Sequence, residues 1–391
     1  MKDEDLDRSL HTSSMISLRH LWRILLGALF LTISCQTAMR EAESTHFVYV
    51  WYDAQDRQQL YLAGVDGSEV MQLTSAEFNI GNHFDISGDQ IAYTQQNTDL
   101  AEQIHILTLN NNRVKSDISH DCGQDSCVNP VWAADGRRIV YERRNAQGDE
   151  PRLYWLDAQT GETLPVFNEA SVLGYRPQLS PDDRYLSFVH IPPEGDNTIG
   201  LLPAGHSLDD GHGHGALLLN QQRILVYDFE TGEQVAVANL MNSQATWRGD
   251  SAEFLVADMA FAGEQFGVHL LHVDPANQQM IDISGDRTVD DATPTWSPDA
   301  EWVAFNRKLS GTAMGRQIWL MRPDGSEATP VTNDADWNHS KVQFSADGNL
   351  MLFQRFNVTQ PASDPSIWLL DRNTNELRQI VPVGARPQWV P

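Results

Sequence analysis

A short phrase returns along this chain of 391 residues at a near-constant interval, and no other feature restricts the fold as strongly. It consists of an apolar or aromatic residue, a small polar turn containing Asp, and an apolar triplet. The clearest copy is Trp296-Ser297-Pro298-Asp299 followed by Val303-Ala304-Phe305. Further copies open at Trp132 (Asp135-Gly136, then Ile139-Val140-Tyr141) and at Leu179 (Ser180-Pro181-Asp182, then Leu186-Ser187-Phe188). Weaker ones open at Ile86, Trp247 and Phe344. The six complete copies begin at residues 86, 132, 179, 247, 296 and 344, so the gaps are 46, 47, 68, 49 and 48. A period in this range signals repeated units that stack on their neighbours.

Each unit reads as four short strands. In the Trp132 unit these are expected over 130–132, 138–141, 153–156 and 163–166. Asp135-Gly136 separates the first two and the stretch from Asp157 to Gly161 the last two. That last turn recurs at Asp228 to Gly232, Asp274 to Gln278, Pro323-Asp324-Gly325 and Asp371 to Asn375. Gly and Asn supply the positive φ such turns need. Short strands at this spacing, without helical periodicity, indicate an all-β β-propeller. The ends complete the count. Gln388-Trp389-Val390-Pro391 opens another copy, and Phe47-Val48-Tyr49-Val50-Trp51 reads as the second strand of a copy that lacks its first. Seven four-stranded antiparallel blades over 46–391 are therefore expected. The ring would close by pairing the C-terminal strand with the N-terminal three.

The repeats resemble the TolB-type (WD40-like, PD40) propeller repeat, with Pro294-Thr295-Trp296-Ser297-Pro298-Asp299 as the nearest match. About ten residues separate the N-terminal signal from the first strand, so the α/β domain that precedes the TolB propeller is not expected. In TolB-type propellers the loop before each first strand opens at one face of the central channel. The resemblance places His83, Asn129, Arg176, Ser243, Asp291, His339 with Lys341, and Arg386 there. Such a ring implies a mouth for a carboxylate-bearing ligand or an acidic loop of a partner, with Arg as a bidentate clamp.

Residues 1–35 read as an export signal: Arg19 and Arg23, an apolar run over 24–33, then Ser34-Cys35. A small residue before Cys resembles the lipoprotein signal, with Cys35 acylated; Thr32 stands where that signal usually has Leu. Simple secretion with cleavage near Ala38 is the alternative. Met15 is a second candidate start, because Asp3, Glu4, Asp5 and Asp7 make the segment ahead of it acidic. Gln36 resembles the class sent to the outer membrane, and 36–45 is a linker. Cys122 and Cys127 are expected to form a disulfide in an oxidising periplasm. The net charge of −26 makes nucleic acid and anionic membranes poor partners, so membrane contact is expected only through the lipid, and the protein is expected to be a monomer. Most of the eleven Trp fall inside the repeat and read as packing between blades.

The 68-residue gap holds an insertion over about 190–222. His206, Asp209, Asp210, His212 and His214 within it could ligate Zn²⁺, or the glycine-rich stretch could serve as a flexible lid. Asp282, Asp286, Asp290 and Asp291 form an acidic loop, readable as a calcium site or as a solvated turn. The sequence has no Gly-x-Ser-x-Gly, no His-Glu-x-x-His and no phosphate-cradling glycine loop. Asn338-His339-Ser340-Lys341 resembles the His-bearing blade starts of oligogalacturonate lyases. That resemblance implies metal ligation by His83 and His339, with Arg176 or Lys341 assisting uronate binding or proton abstraction. The expected function is an exported, envelope-associated binding or scaffolding module that needs no cofactor. Its expected partner is an envelope protein or lipoprotein. A lyase assisted by a divalent metal is the alternative.

Overall fold

The computed structural model describes residues 45–391 apart from 76, 147–149, 197, 199, 205–221, 251, 263–264, 286–287 and 361. Cys35 and the signal, His206, Asp209, Asp210, His212 and His214 of the insertion, and Asp286 lie outside the described residues. Among the described residues there is no helix.

The Trp132 copy forms the antiparallel sheet β8 (Ser126–Trp132), β9 (Arg138–Arg144), β10 (Arg152–Asp157) and β11 (Thr163–Pro165). The same order recurs in β4–β7 (Ile80–Ser87, Gln90–Gln96, Glu102–Asn110, Arg113–His120) and in β12–β15 (Leu173–Leu179, Tyr185–Ile191, Arg223–Asp228, Gln234–Ala238). It recurs again in β24–β27 (Trp337–Phe344, Leu350–Asn357, Ser366–Asp371, Glu376–Val381). Two more units are β16–β19 (Thr246–Trp247, Phe254–Ala262, Gln265–Asp274, Gln279–Asp282) and β20–β23 (Val289–Trp296, Val303–Leu309, Gln317–Met321, Thr329–Pro330). A single parallel pair, Val268 with Asp290, joins these two into one eight-stranded sheet. The last sheet combines both ends of the chain. In it β28 (Ala385–Trp389) lies beside β1 (His46–Tyr52), then β2 (Gln58–Gly64) and β3 (Met71–Gln72), with Phe47 opposite Trp389 and Val48 opposite Gln388. Among the described residues no sheet closes on itself.

The repeated phrase works through a hydroxyl. Ser180 Oγ donates to Asp182 Oδ1 at 2.6 Å and accepts the Tyr185 amide at 2.8 Å. Ser345 makes the same pair of bonds to Asp347 (2.6 Å) and Leu350 (2.9 Å). A small hydroxyl followed by Asp thus ties off the turn between first and second strands. The outer turn uses the Asp157 carboxylate, which accepts the Thr160 amide at 2.9 Å, while Gly161 at φ 75° donates its N–H to the Asp157 carbonyl at 2.8 Å.

The apolar triplet lies on the second strand, where consecutive side chains are buried; all of Tyr185–His190 are. Alternation fails there because both faces of the sheet are covered. One cluster joins Leu255 and Leu270 to Val303 and Phe305, the next Ala304 and Ile318 to Met351 and Phe353. Another joins Leu352 and Leu369 to Phe47 and Tyr49, and another Val48 and Leu62 to Ile91 and Tyr93. Three of the tryptophans that open copies also reach across interfaces between sheets. Trp296 Nε1 donates to the Thr246 carbonyl at 3.0 Å, Trp247 Nε1 to Gln178 at 3.3 Å and Trp389 Nε1 to Gln343 at 3.3 Å. Each bond links one first strand to the neighbouring one.

Replacing Trp296 by Phe keeps most of the ring and removes that N–H. One of the bonds to the Thr246 carbonyl is lost, and the expected cost is about 0.5–1.5 kcal/mol in urea unfolding. An unchanged midpoint would show that the indole bond adds nothing to the interface.

Candidate functional site

Counting three residues back from the opening residue of a copy gives Asn129, Arg176, Thr293, Lys341 and Arg386. All five have left-handed backbone, with φ of 53°, 54°, 48°, 57° and 55°. Each coincides with a break in the pairing of its first strand. His83 stands at the equivalent place in β4. Holding a residue other than glycine there costs roughly 1–2 kcal/mol, and such strain persists only where the surroundings fix it.

Polar side chains of adjoining sheets do the fixing. Gln354 Oε1 accepts the Arg386 amide at 2.6 Å. The fully buried Glu142 accepts the Arg176 amide at 3.2 Å, Asn129 Nδ2 at 2.8 Å and the Arg144 guanidinium. Thr293 donates its hydroxyl to Asn306. The side chains then reach the next first strand or the loop before it: the Arg386 guanidinium donates to the Asn82 carbonyl, His83 Nε2 to the Pro130 carbonyl at 3.1 Å and Arg176 to the Asn242 carbonyl at 2.8 Å. The loop bearing Asn242 is itself held by Asp258, whose Oδ1 accepts the amides of Leu240 (2.8 Å) and Met241 (3.1 Å). Ser243 belongs to this loop, donating its amide to Asn239 at 2.8 Å.

Electrostatics show which of these groups converge. Burial pushes His83 down to about 4, helped by the nearby charges of Lys341 and Arg386. Burial also lowers Lys341, with Arg386 adding to it, and lowers Arg386. Among the described residues, no carboxylate charge is among those that shift either cation. The Lys341 side chain is exposed. Among the described residues it makes no hydrogen bond. The arrangement can receive negative charge.

Two expected members are not part of it. His339 is fully buried against Phe353, with Nδ1 bonded to the Arg316 carbonyl at 3.0 Å, and burial holds it at about 4. The break between Ser340 and Gln343 turns Lys341 outward while His339, before the break, stays in the core. Asp291 is also fully buried and takes both Nε and an Nη of Arg307 at 2.7 Å, with Ser284 Oγ at 2.6 Å. Among the described residues its neighbours form no cation cage: Asp282 binds His269 Nδ1 at 2.7 Å. Thr293, Glu142 and Gln354 were not anticipated; counting a fixed three residues back from each opening residue would have found Thr293.

A metal does not fit this site. Among the described residues no three His, Cys, Asp or Glu side chains converge as a ligand set. His83 already spends Nε2 on a carbonyl, and two cations stand beside it. Elsewhere on the same edge of the β8 sheet, Cys122 and Cys127 form a disulfide.

No protein-family model matches this sequence, and no curated protein matches it. Solved structures do share its fold. An oligogalacturonate lyase in complex with manganese aligns at TM-score 0.58 and 15% identity, over 87% of this chain and 86% of that one. The β-propeller domain of the Trilobed protease from Pyrococcus furiosus aligns at TM-score 0.54 and 16% identity, over 79% and 85%. TolB from Acinetobacter baumannii covers 89% of this chain at 14% identity, with a TM-score of 0.48 too low to argue from. The fold is a β-propeller.

The loop that supports Arg176 carries a titration. Asp258 is 5% exposed, and burial pushes it up to about 6. Its charge therefore costs stability above that value, and the cost fades as pH falls from about 6 towards the ordinary carboxylate range. Asp258→Asn keeps an acceptor for Leu240 and Met241 and removes the charge. The variant is expected to be more stable than wild type near about pH 7.5, by up to about 3 kcal/mol, and to lose the advantage near about pH 4.5. His83 and His339 act oppositely. Their folded values of about 4 lie below 6.5, so in that window the unfolded chain takes up protons first and acid costs stability. Urea unfolding at the two pH values reads the Asp258 difference; a constant difference would remove the titration.

Proposed function

We propose that this chain is an exported propeller of seven blades, closed into a ring through β28 and β1, that binds an acidic element of another envelope protein. The docking place is the ring of first-strand starts carrying His83, Asn129, Arg176, Lys341 and Arg386. One observation carries this reading. In a chain of net charge −26, Lys341 and Arg386 stand together beside neutral His83, and among the described residues no carboxylate charge is among those that shift them. A carboxylate arriving there relieves their mutual repulsion and can be clasped by the guanidinium. The disulfide suits an oxidising compartment, and the expected anchor is a lipid on Cys35 at the outer membrane.

A second reading, a lyase of acidic oligosaccharides, draws on the fold shared with oligogalacturonate lyase. Buried His339 and carbonyl-bound His83 weigh against the metal it requires. Appearance of unsaturated uronate absorbance on incubation with oligogalacturonate and manganese would favour it over the binding module.

The probe for the first reading is a hexaglutamate peptide, followed by calorimetry at low and at high salt. Wild type is expected to bind at low salt, and the Lys341→Ala/Arg386→Ala double variant to bind at least about tenfold more weakly. No heat with wild type, or equal affinity in the double variant, ends the reading. Capture from cross-linked envelopes then identifies the partner.

A further inference from the structure

Three of the strained first-strand starts carry cations, and one of the three differs in kind. Arg176 stands in β12 and Arg386 in β28, at φ 54° and 55°, while β24 has Lys341 at 57°. The chain holds only four lysines, Lys2, Lys115, Lys308 and Lys341, among its 27 basic residues, so Arg is its ordinary cation. A guanidinium holds a carboxylate through two parallel bonds and keeps its charge at any ordinary pH. An amine holds a carboxylate less well, but it can give up a proton and then attack a carbon centre. Lysine is the residue for that second task.

Gln354 fixes Lys341 and Arg386 relative to each other. Its Nε2 donates to Ser340 Oγ at 3.1 Å and its Oε1 accepts the Arg386 amide at 2.6 Å. One side chain thus holds both the residue before Lys341 and the backbone of Arg386. On the other side of Lys341, Val342 is buried in the core. Between these two anchors Lys341 turns out at the register break, exposed and without a hydrogen bond among the described residues. Arg386 spends one Nη on the Asn82 carbonyl, and a guanidinium has further N–H groups for a ligand. The charge of Arg386 disfavours the ammonium form of Lys341. His339 faces the core and His83 Nε2 is bonded to the Pro130 carbonyl, so neither histidine brings a metal to the amine.

We propose that Lys341 captures a 2-oxo acid as a reversible imine while Arg386 holds the acid's carboxylate. The Nζ lone pair attacks the carbonyl carbon, the π pair of the C=O bond passes to oxygen, and one proton moves from nitrogen to that oxygen. The resulting carbinolamine breaks its C–O bond, the oxygen leaves as water with the second amine proton, and a C=N bond remains. No oxidant or reductant is consumed, and one water reverses the step. This capture rests on the reading above that Lys341 and Arg386 receive a carboxylate, and adds to it a covalent bond at Nζ. A 2-oxo acid suits the pair because its carbonyl and carboxylate are adjacent, as the amine and guanidinium are neighbours.

Borohydride trapping of the full chain with pyruvate tests the capture. Hydride reduces the C=N bond to a stable amine, and peptide mapping locates it. The adduct is expected on Lys341, formed at least about tenfold faster than on Lys115. Lys115 is exposed too, so solvent access alone would label both equally. Acetone has the carbonyl without the carboxylate, and with it the preference for Lys341 over Lys115 is expected to shrink. Lys341→Arg keeps the charge and removes the amine. That variant is expected to lose the fast adduct and still bind hexaglutamate, so failure of the capture and failure of the docking reading are told apart. Absence of an adduct, equal labelling of Lys341 and Lys115, an unchanged preference with acetone, or undiminished trapping by Lys341→Arg overturns the proposal.

Discussion

Every sheet in this chain has two apolar faces, and the need to cover both governs the rest. Tyr185–His190 are all buried, which a sheet wetted on one side cannot achieve. A sheet with such strands is covered on both faces by its neighbours. Here the sheet built from both ends of the chain packs on the β24 sheet through Phe47 and Tyr49 and on the β4 sheet through Val48 and Leu62. The indole bonds of Trp247, Trp296 and Trp389 add direction to what apolar packing alone leaves free to slide.

Much of this was legible because the repeat is chemical as well as periodic. A Ser followed two residues later by Asp closes a turn wherever it occurs, so Ser180 and Ser345 do the same work in different sheets. Asp157 and Asp228 likewise cap their outer turns through bonds to Thr160 and Thr231. Such local bonds need no knowledge of neighbours, and strand positions follow from them. The first strand of the Trp132 unit was the exception. It was expected from 130, and it begins at Ser126, because pairing continues past a break in register that apolar pattern does not announce.

The site was legible in part, for the same reason. Position relative to the repeat led to Asn129, Arg176, Lys341 and Arg386, all of which share the left-handed backbone. The same reading of position also led to His339 and Asp291, and both are core residues. A histidine and an aspartate attract attention as chemistry, yet one or two residues before the break a side chain still faces the sheet interior. Buried polar groups then satisfy each other: Asp291 with Arg307 and Ser284, and Asp282 with His269. Glu142 and Gln354 were illegible because their role lies in another sheet, where they hold the amide of a residue more than thirty positions away.

The repeat also supplies a comparison within the molecule. The same strained backbone position is occupied by Asn in β8, by Thr in β20 and by cations in β12, β24 and β28. Asn129 and Thr293 show that the fold is satisfied there by a neutral side chain. The cations are thus not required for the turn, and two of them carry a penalty. Burial lowers both Lys341 and Arg386, and Arg386 disfavours the charge on Lys341 further. Arg386 recovers part of that through the Asn82 carbonyl, and Arg176 through Asn242. Lys341 recovers none from a hydrogen bond among the described residues. A charge held where the backbone does not need it, and where its neighbours oppose it, is what the proposed acidic partner would relieve.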